Sequence, residues 1–398
     1  MDRALDHEIR HWRARINEVD HPLLERCVAL VTLAGARDDA EAEALFALVP
    51  ELAGEPATAS RRRLDRWLRG LYEGPDRWNP LRPDRLGEAL ITRTLWADEG
   101  GLALLSTTLD LRSNAQLTQA LEVLLHLAAD NGTEEIVATA LVQRHAALVG
   151  RCTEQARGTP QRPGRTGLLD GLARLHTKLL TDHRVATLPT PTQAALSISA
   201  DALGDLAREH GRSTQAQAIF QGVLVIDERK HELEPGNTTY RRDLSISYNK
   251  LADLALAAGR SADAEHLYRQ SLQVREELTE LEPGNTTYRR DLSISYERLA
   301  DLASQAGKLD TARELVNKAI EIRRAIHRLE PQRVDVTVEL AYTLYLSVRI
   351  AAMEATGGTG QAEREETVRA LIPFEEADLL NSRGYALLGW ARDNEGDH

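Results

Sequence analysis

Three sets of side chains in this sequence have the composition and spacing of reactive or binding groups. His7-Glu8-Ile9-Arg10-His11 matches H-E-x-x-H, in which two histidines on one helix face hold zinc and the glutamate activates water. Only six residues precede it, no third ligand is signposted, and a chain with 12 histidines produces this spacing by coincidence. It reads as a structural stretch of helix without metal. The second set is basic: Arg61, Arg62, Arg63, Arg66, Arg69, Arg77, Arg82, Arg85 and Arg93 stand among only five carboxylates between residues 56 and 95. Such a cluster suits phosphate contacts, but the plainer reading is a solvated helix face or an intramolecular surface for acidic parts. The third set is acidic and periodic. Asp205, Asp253 and Asp301 recur every 48 residues, and Asp201, Asn249 and Glu297 stand one helical turn before them.

No phosphate loop of the form Gly-x-x-x-x-Gly-Lys-Ser/Thr, no Gly-x-Ser-x-Gly elbow, no dinucleotide fingerprint and no calcium loop occurs. The expectation is a non-catalytic protein without a cofactor. The 398 residues carry 49 basic and 61 acidic side chains, a net charge of -12, whose field repels phosphates. Nucleic acid is therefore not expected as the main partner. Hydrophobic residues make up 42% but aromatics only 4%, so Leu and Ala dominate and favour helices. Cys27 and Cys152 cannot build a disulfide framework or a four-ligand zinc site. The charged start, Met1 to Glu8, lacks the apolar core of a signal peptide. No uninterrupted apolar run approaches the ~20 residues needed to span a bilayer. These features predict a cytoplasmic protein with no membrane partner.

The elements that position the acidic set are repeats. Residues 233–248, LEPGNTTYRRDLSISY, recur unchanged at 281–296. A fainter copy aligns Leu196-Ser197-Ile198-Ser199 with Leu244-Ser245-Ile246-Ser247, and a fourth begins at Leu329-Glu330-Pro331. Gly211, Gly259 and Gly307 sit where a helix needs a left-handed C-terminal residue. Ala216, Ala264 and Ala312 follow at one phase, small enough for two antiparallel helices to approach closely. Glu282-Pro283-Gly284-Asn285 is a turn with Asn285 or Thr286 as N-cap. One helix over 286–306 and a second over 311–329 then fill the period, each about 30 Å long at 1.5 Å per residue.

The spacing of Tyr248, Leu251, Ala252, Ala264 and Tyr268 resembles the tetratricopeptide repeat (TPR) signature, a helix-turn-helix unit of about 34 residues, here lengthened. The resemblance implies an all-α fold, an α-α superhelix in which the first helix of each unit lines a concave groove. It would place Asp201, Asp205, Asn249, Asp253, Glu297 and Asp301 there as an acidic ladder for a peptide or protein ligand, a basic one by charge. The plainer reading is that these acids answer helix dipoles or nearby cations such as Lys250 and Arg298. Arg241, Arg242, Arg289 and Arg290 are expected to pair with acids of neighbouring helices.

Upstream, amphipathic stretches run over 5–16, 23–33, 40–48, 60–71 and 83–95, with the proline-punctuated segment 74–83 between the last two. This pattern fits a winged-helix domain or a plain helical bundle. His7 to Trp12, Leu30 to Ala36 and Trp78 to Glu88 resemble the segment that follows the nucleotide-binding domain in actinobacterial signal-transduction ATPases of the STAND class. That resemblance implies a winged helix leading into a TPR sensor, with an ATPase domain upstream or in trans. Its alternative is a winged-helix DNA-binding regulator contacting duplex through Arg61, Arg62 and Arg63. The expected organisation is 1–97 winged-helix-like, 98–166 connector and linker, 167–356 TPR superhelix and 357–398 capping helices. The connector holds helical stretches at 115–129 and 134–154, and 167–183 forms a helix against the first repeat.

Overall fold

The computed structural model describes residues 2–16, 19–81, 84–95, 99–128, 133–158, 167–181, 188, 190–353, 360–376 and 379–392. Among these residues there is no β-strand, and extended pairing is limited to one bridge between Ala36 and Trp78. The chain is all-α and divides into two compact units, 1–226 and 227–398.

The first unit begins with α1 (Asp2–Arg15), α2 (His21–Ala34), α3 (Asp39–Leu48), α4 (Thr58–Arg69) and α5 (Asp84–Leu95), close to the stretches that periodicity marks. α6 (Glu99–Thr108) has no counterpart in that pattern, because Gly100 and Gly101 interrupt its apolar period. Then come α7 (Asn114–Leu127), α8 (Glu134–Gly158), α9 (Leu168–Thr181) and α10 (Thr190–Glu209). α11 (Ser213–Leu233) contains the division between the units. The end of the connector and linker expected over 98–166, residues 159–166, lies outside the described residues. Local signals start these helices: Asp38 accepts from the Glu41 amide at 2.9 Å and Ser113 from the Gln116 amide at 3.3 Å. One contiguous apolar cluster runs from Leu5 to Ile226, with Trp12 and Trp78 buried in it. Trp78 meets the Phe46 ring edge-on and donates its indole N–H to Asp65 at 3.1 Å.

The second unit stacks helical hairpins. α12 (Thr238–Ala257) packs on α13 (Ser261–Leu281), and α14 (Thr286–Gln305) on α15 (Leu309–Leu329). α16 (Val334–Met353) follows, then α17 (Gln361–Glu376) and the end helix α18 (Ser382–Arg392), which packs on both. The first residues of the expected capping region, 357–359, lie outside the described residues. Among those residues, α16 is the one helix long and apolar enough to cross a bilayer, although charged Asp335, Glu339 and Arg349 interrupt it. It packs against α15, α17 and α18, and Leu340, Leu344 and Ile350 are buried.

Two devices close each hairpin. Gly259 and Gly307 take φ of +74° and +73°, the left-handed region where an L side chain strains. The Arg260 amide reaches back to Ala255 at 2.8 Å and the Gly259 amide to Leu256 at 2.9 Å, a Schellman closure. At the other end Asn285 caps α14, accepting from the Thr287 and Tyr288 amides at 3.0 and 3.3 Å. Asn237 does the same for α12. Inside each hairpin, size is matched across the helices. Tyr268 packs with Ala252, and Val316 with Ala300. In the copy upstream Phe220 presses so close to Gly204 that an added Cβ would lie 2.4 Å from its ring.

Candidate functional site

The periodic acids fall on two rows with different surroundings. In the first, Asp253 accepts from the Tyr268 hydroxyl and pairs with Arg298 of the next hairpin at 2.8 Å. Asp301 repeats this one unit on, paired with Arg349 and accepting from Gln305 at 3.0 Å. Both carboxylates are partly accessible, at 29% and 33%, and their partners Arg298 and Arg349 at 48% and 37%. Burial, then the carboxylate of Asp253, pushes the Tyr268 hydroxyl above the usual tyrosine range. Upstream, Asp205 pairs with Arg208 on its own helix at 3.5 Å.

The second row lies inside the hairpins, and here the acidic ladder needs correcting. Glu297 is only 8% exposed and accepts from Arg323 Nε at 3.1 Å and from the Thr343 hydroxyl at 2.6 Å. Asn249, in the amide orientation its neighbours dictate, accepts from Arg275 at 2.8 Å and donates to Ser271 at 3.1 Å. Asp201 is half-buried on α10. The reason is geometric: a four-residue step along a helix turns the side chain about 40°, enough to swing this row from the open face into the seam with the second helix. There Asn249 meets Arg275 and Glu297 meets Arg323, each 26 residues later, whereas Asp227 stands at that offset from Asp201.

Arg275 and Arg323 are the side chains that the sequence reading missed. Both are buried, at 4% and 3% exposure. Arg275 also donates to Ser245 and Ser295 at 3.1 Å, and burial pulls its pKa down to about 10. Arg323 continues to Glu339 on α16. The signal that finds them is the repeat itself, since Asn249 with Arg275 and Glu297 with Arg323 share one offset. The expected arginine pairs form for Arg241, Arg242 and Arg290. Arg242 meets Asp291 at 2.7 Å, Arg290 meets Glu339 at 2.9 Å and Arg241 meets Glu277 at 3.5 Å. The Arg242 and Arg290 bonds tie the first helices of successive hairpins together, while Arg241 reaches α13 of its own hairpin.

In the first unit the basic cluster is largely answered. Arg61 binds Glu43 at 3.0 Å and the Gly54 carbonyl at 2.9 Å, while Arg62 and Arg63 are exposed. Asp65 holds Arg69 and Arg77, and Asp6 holds Arg93 at 2.7 Å. His7 and His11 face outward, because Leu5, Ile9 and Trp12 are the buried side of α1. Among the described residues no three or more His, Cys, Asp or Glu side chains are grouped to hold a metal ion. Burial pushes the Cys27 and Cys152 thiols up to about 12, so neither is a ready nucleophile.

Residues 245–280 match the tetratricopeptide repeat family model. The match opens in the middle of α12 and closes in the last turn of α13, so the TPR unit corresponds to the inner part of a longer hairpin. No curated protein sequence matches the chain. Among solved structures, BtubC (BKLC) from P. vanneervenii aligns at 17% identity and a TM-score of 0.42, over 68% of this chain and 92% of that one. Human IFIT1, solved as a dimer with PPP-AAAA, aligns at 12% identity and a TM-score of 0.22, over 99% and 96%. The TPR unit accounts for the small residues Ala252 and Ala264 at the hairpin crossing. The extra length lies in the first turns of α12 and α14 and in the Leu-Glu-Pro-Gly-Asn connections, where Arg242 and Arg290 make their cross-hairpin bonds.

Proposed function

We propose that this chain is a non-catalytic, cytoplasmic scaffold or sensor whose TPR hairpins hold a peptide or protein segment against the first helices α12, α14 and α16. The observation that carries this reading is the accessible row of ion pairs, Asp253 with Arg298 and Asp301 with Arg349. Exposed pairs of this kind contribute little to folding, about 0–1 kcal/mol each, so a ligand can exchange for one partner at small cost. A basic segment would take the place of Arg298 and Arg349 on the two carboxylates. The resemblance of the first hundred residues to STAND-class proteins supports a place in such a signalling or defence system, with an ATPase domain in the same polypeptide or in trans. Ligand seating would then shift the packing of the hairpins, biasing the switch toward one state. No cofactor is called for.

The test is a charge swap that keeps the fold. Exchanging Asp253→Arg with Arg298→Asp, and Asp301→Arg with Arg349→Asp, preserves each pair but reverses the charge at each of the four positions. Partners retained on the immobilised protein from lysate of its source, quantified by mass spectrometry, should fall at least tenfold. Retention unchanged by the swap removes the face from the mechanism. The duplex-binding alternative rests on exposed Arg62 and Arg63. It requires salt-dependent DNA binding that is lost when Arg61, Arg62 and Arg63 are replaced.

A further inference from the structure

A second surface repeats at the edge of the stack. Between the last turns of α13 and the first half of α14 lies an open groove of about 440 Å3, lined by Glu276, Thr279, Glu280, Pro283, Leu292 and Tyr296. Tyr296, only 7% exposed, lies beneath it, and its hydroxyl donates to Glu276 at 2.7 Å. The chain already places a cation on that ring: Lys318 Nζ stands 5.3 Å from its centroid. Glu280 is exposed, and the neighbouring Leu281 is 57% exposed, although leucine is normally buried.

The same features recur one unit earlier, within the same compact unit. Tyr248 donates to Glu228 at 3.2 Å, Glu232 is exposed, and Leu233 is 69% exposed. The position of Lys318 is held there by Gln270. One unit later the pattern inverts. Arg324 and Arg328 stand where Glu276 and Glu280 stood, Leu344 replaces the tyrosine, and Arg324 is bound to Glu366 at 2.6 Å. The strip is therefore acidic and aromatic over two units and basic at the third.

We propose that the groove at Tyr296 and the equivalent surface at Tyr248 take lysine or arginine side chains of an amphipathic, basic segment of a partner protein, whose aliphatic residues rest on Leu233 and Leu281. Each site offers two carboxylates, Glu228 with Glu232 or Glu276 with Glu280, to a cation, and each exposed leucine offers an apolar contact beside it; the Tyr248 ring is half-buried, and the Tyr296 ring is buried with Lys318 upon it. The Tyr248 site is the stronger of the two, because Lys318 competes at Tyr296. This surface shares no residue with the Asp253–Arg298 face, so either can fail alone.

The probe is a fluorescein-labelled peptide of repeated Leu-Lys-Lys-Leu units, titrated by anisotropy against the full chain at physiological salt. Glu232→Lys with Glu280→Lys should weaken binding at least tenfold. Asp310→Lys with Glu314→Lys, an equal charge change at exposed positions on α15, should alter it less than twofold. Lys318→Ala should tighten binding two- to threefold by vacating the Tyr296 ring. A Leu-Glu-Glu-Leu peptide should not bind. Equal weakening by both lysine pairs would reduce the effect to net charge and overturn the proposal, as would unchanged affinity in the Lys318→Ala variant.

Discussion

The two units bury their side chains in opposite ways. In the first, a single apolar cluster joins residues from α1 to α11. In the second, the apolar residues are split into small clusters, such as Ala252 with Tyr268 and Leu299, or Val338 with Leu371 and Phe374. Between them run buried polar rows: Ser245, Ser293, Ser295, Thr343, Arg275, Arg323 and Glu297. Apolar contacts are non-directional and tolerate sliding, whereas a buried guanidinium is satisfied only where its acceptors stand. The contrast teaches that the first unit is held by area removed from water. In the second, position along the stack is specified by hydrogen bonds that cross from one hairpin to the next.

The largest effect should come from removing one member of that network. Arg323→Ala leaves the buried Glu297 without its cation, while Glu339 keeps Arg290, and should lower the stability of the second unit by about 3–5 kcal/mol. Urea unfolding followed by far-UV circular dichroism reads this directly. Replacing the pair together, Arg323→Met with Glu297→Leu, should recover most of the loss. If the single variant costs under about 1 kcal/mol, the network does not hold the stack.

The first unit should respond instead to acid. His176 is fully buried, with one ring nitrogen 2.7 Å from Ser199 Oγ and the other 2.9 Å from the Leu172 carbonyl. Burial takes its pKa down to about 4. Below the ordinary histidine pKa of about 6.5 the unfolded chain binds the proton first. Stability contributed by the neutral ring is therefore full above that value and lost as pH falls toward 4, by roughly 3 kcal/mol in all. Urea midpoints between pH 7 and 4 should show this slope, and His176→Gln should flatten it. A slope that survives the substitution assigns the acid sensitivity elsewhere, and hydrogen-exchange protection of α9 locates it in the first unit.

The smallest effect separates local signals from tertiary ones. Asn285→Ala removes the acceptor for two amides at the start of α14 and should cost about 1 kcal/mol. Asn237→Ala, the same cap one unit earlier, should cost the same within error. Unequal costs would show that stacking, not the cap, decides how these helices begin.

Much of the second unit was legible before any coordinates. The helices predicted over 286–306 and 311–329 are observed as Thr286–Gln305 and Leu309–Leu329, because glycine, proline and asparagine act within a few residues of themselves. The capping helices expected over 357–398 are observed as Gln361–Glu376 and Ser382–Arg392. The acidic rows were legible as rows but not as sites. Periodicity reports that Asp253 and Glu297 recur, not that one stays partly open while the other is covered.

The sequence by itself determined the 48-residue period, the hairpin turns and the helical class, since these follow from local backbone preferences and from an apolar pattern that repeats in phase. Only the tertiary structure decided which charges are free. Glu297 meets Arg323 across 26 residues, Asp253 meets Arg298 across 45 and Arg242 meets Asp291 across 49. Such pairs exist only once helices stack, because a charge is worth most where packing has excluded the water that would otherwise screen it.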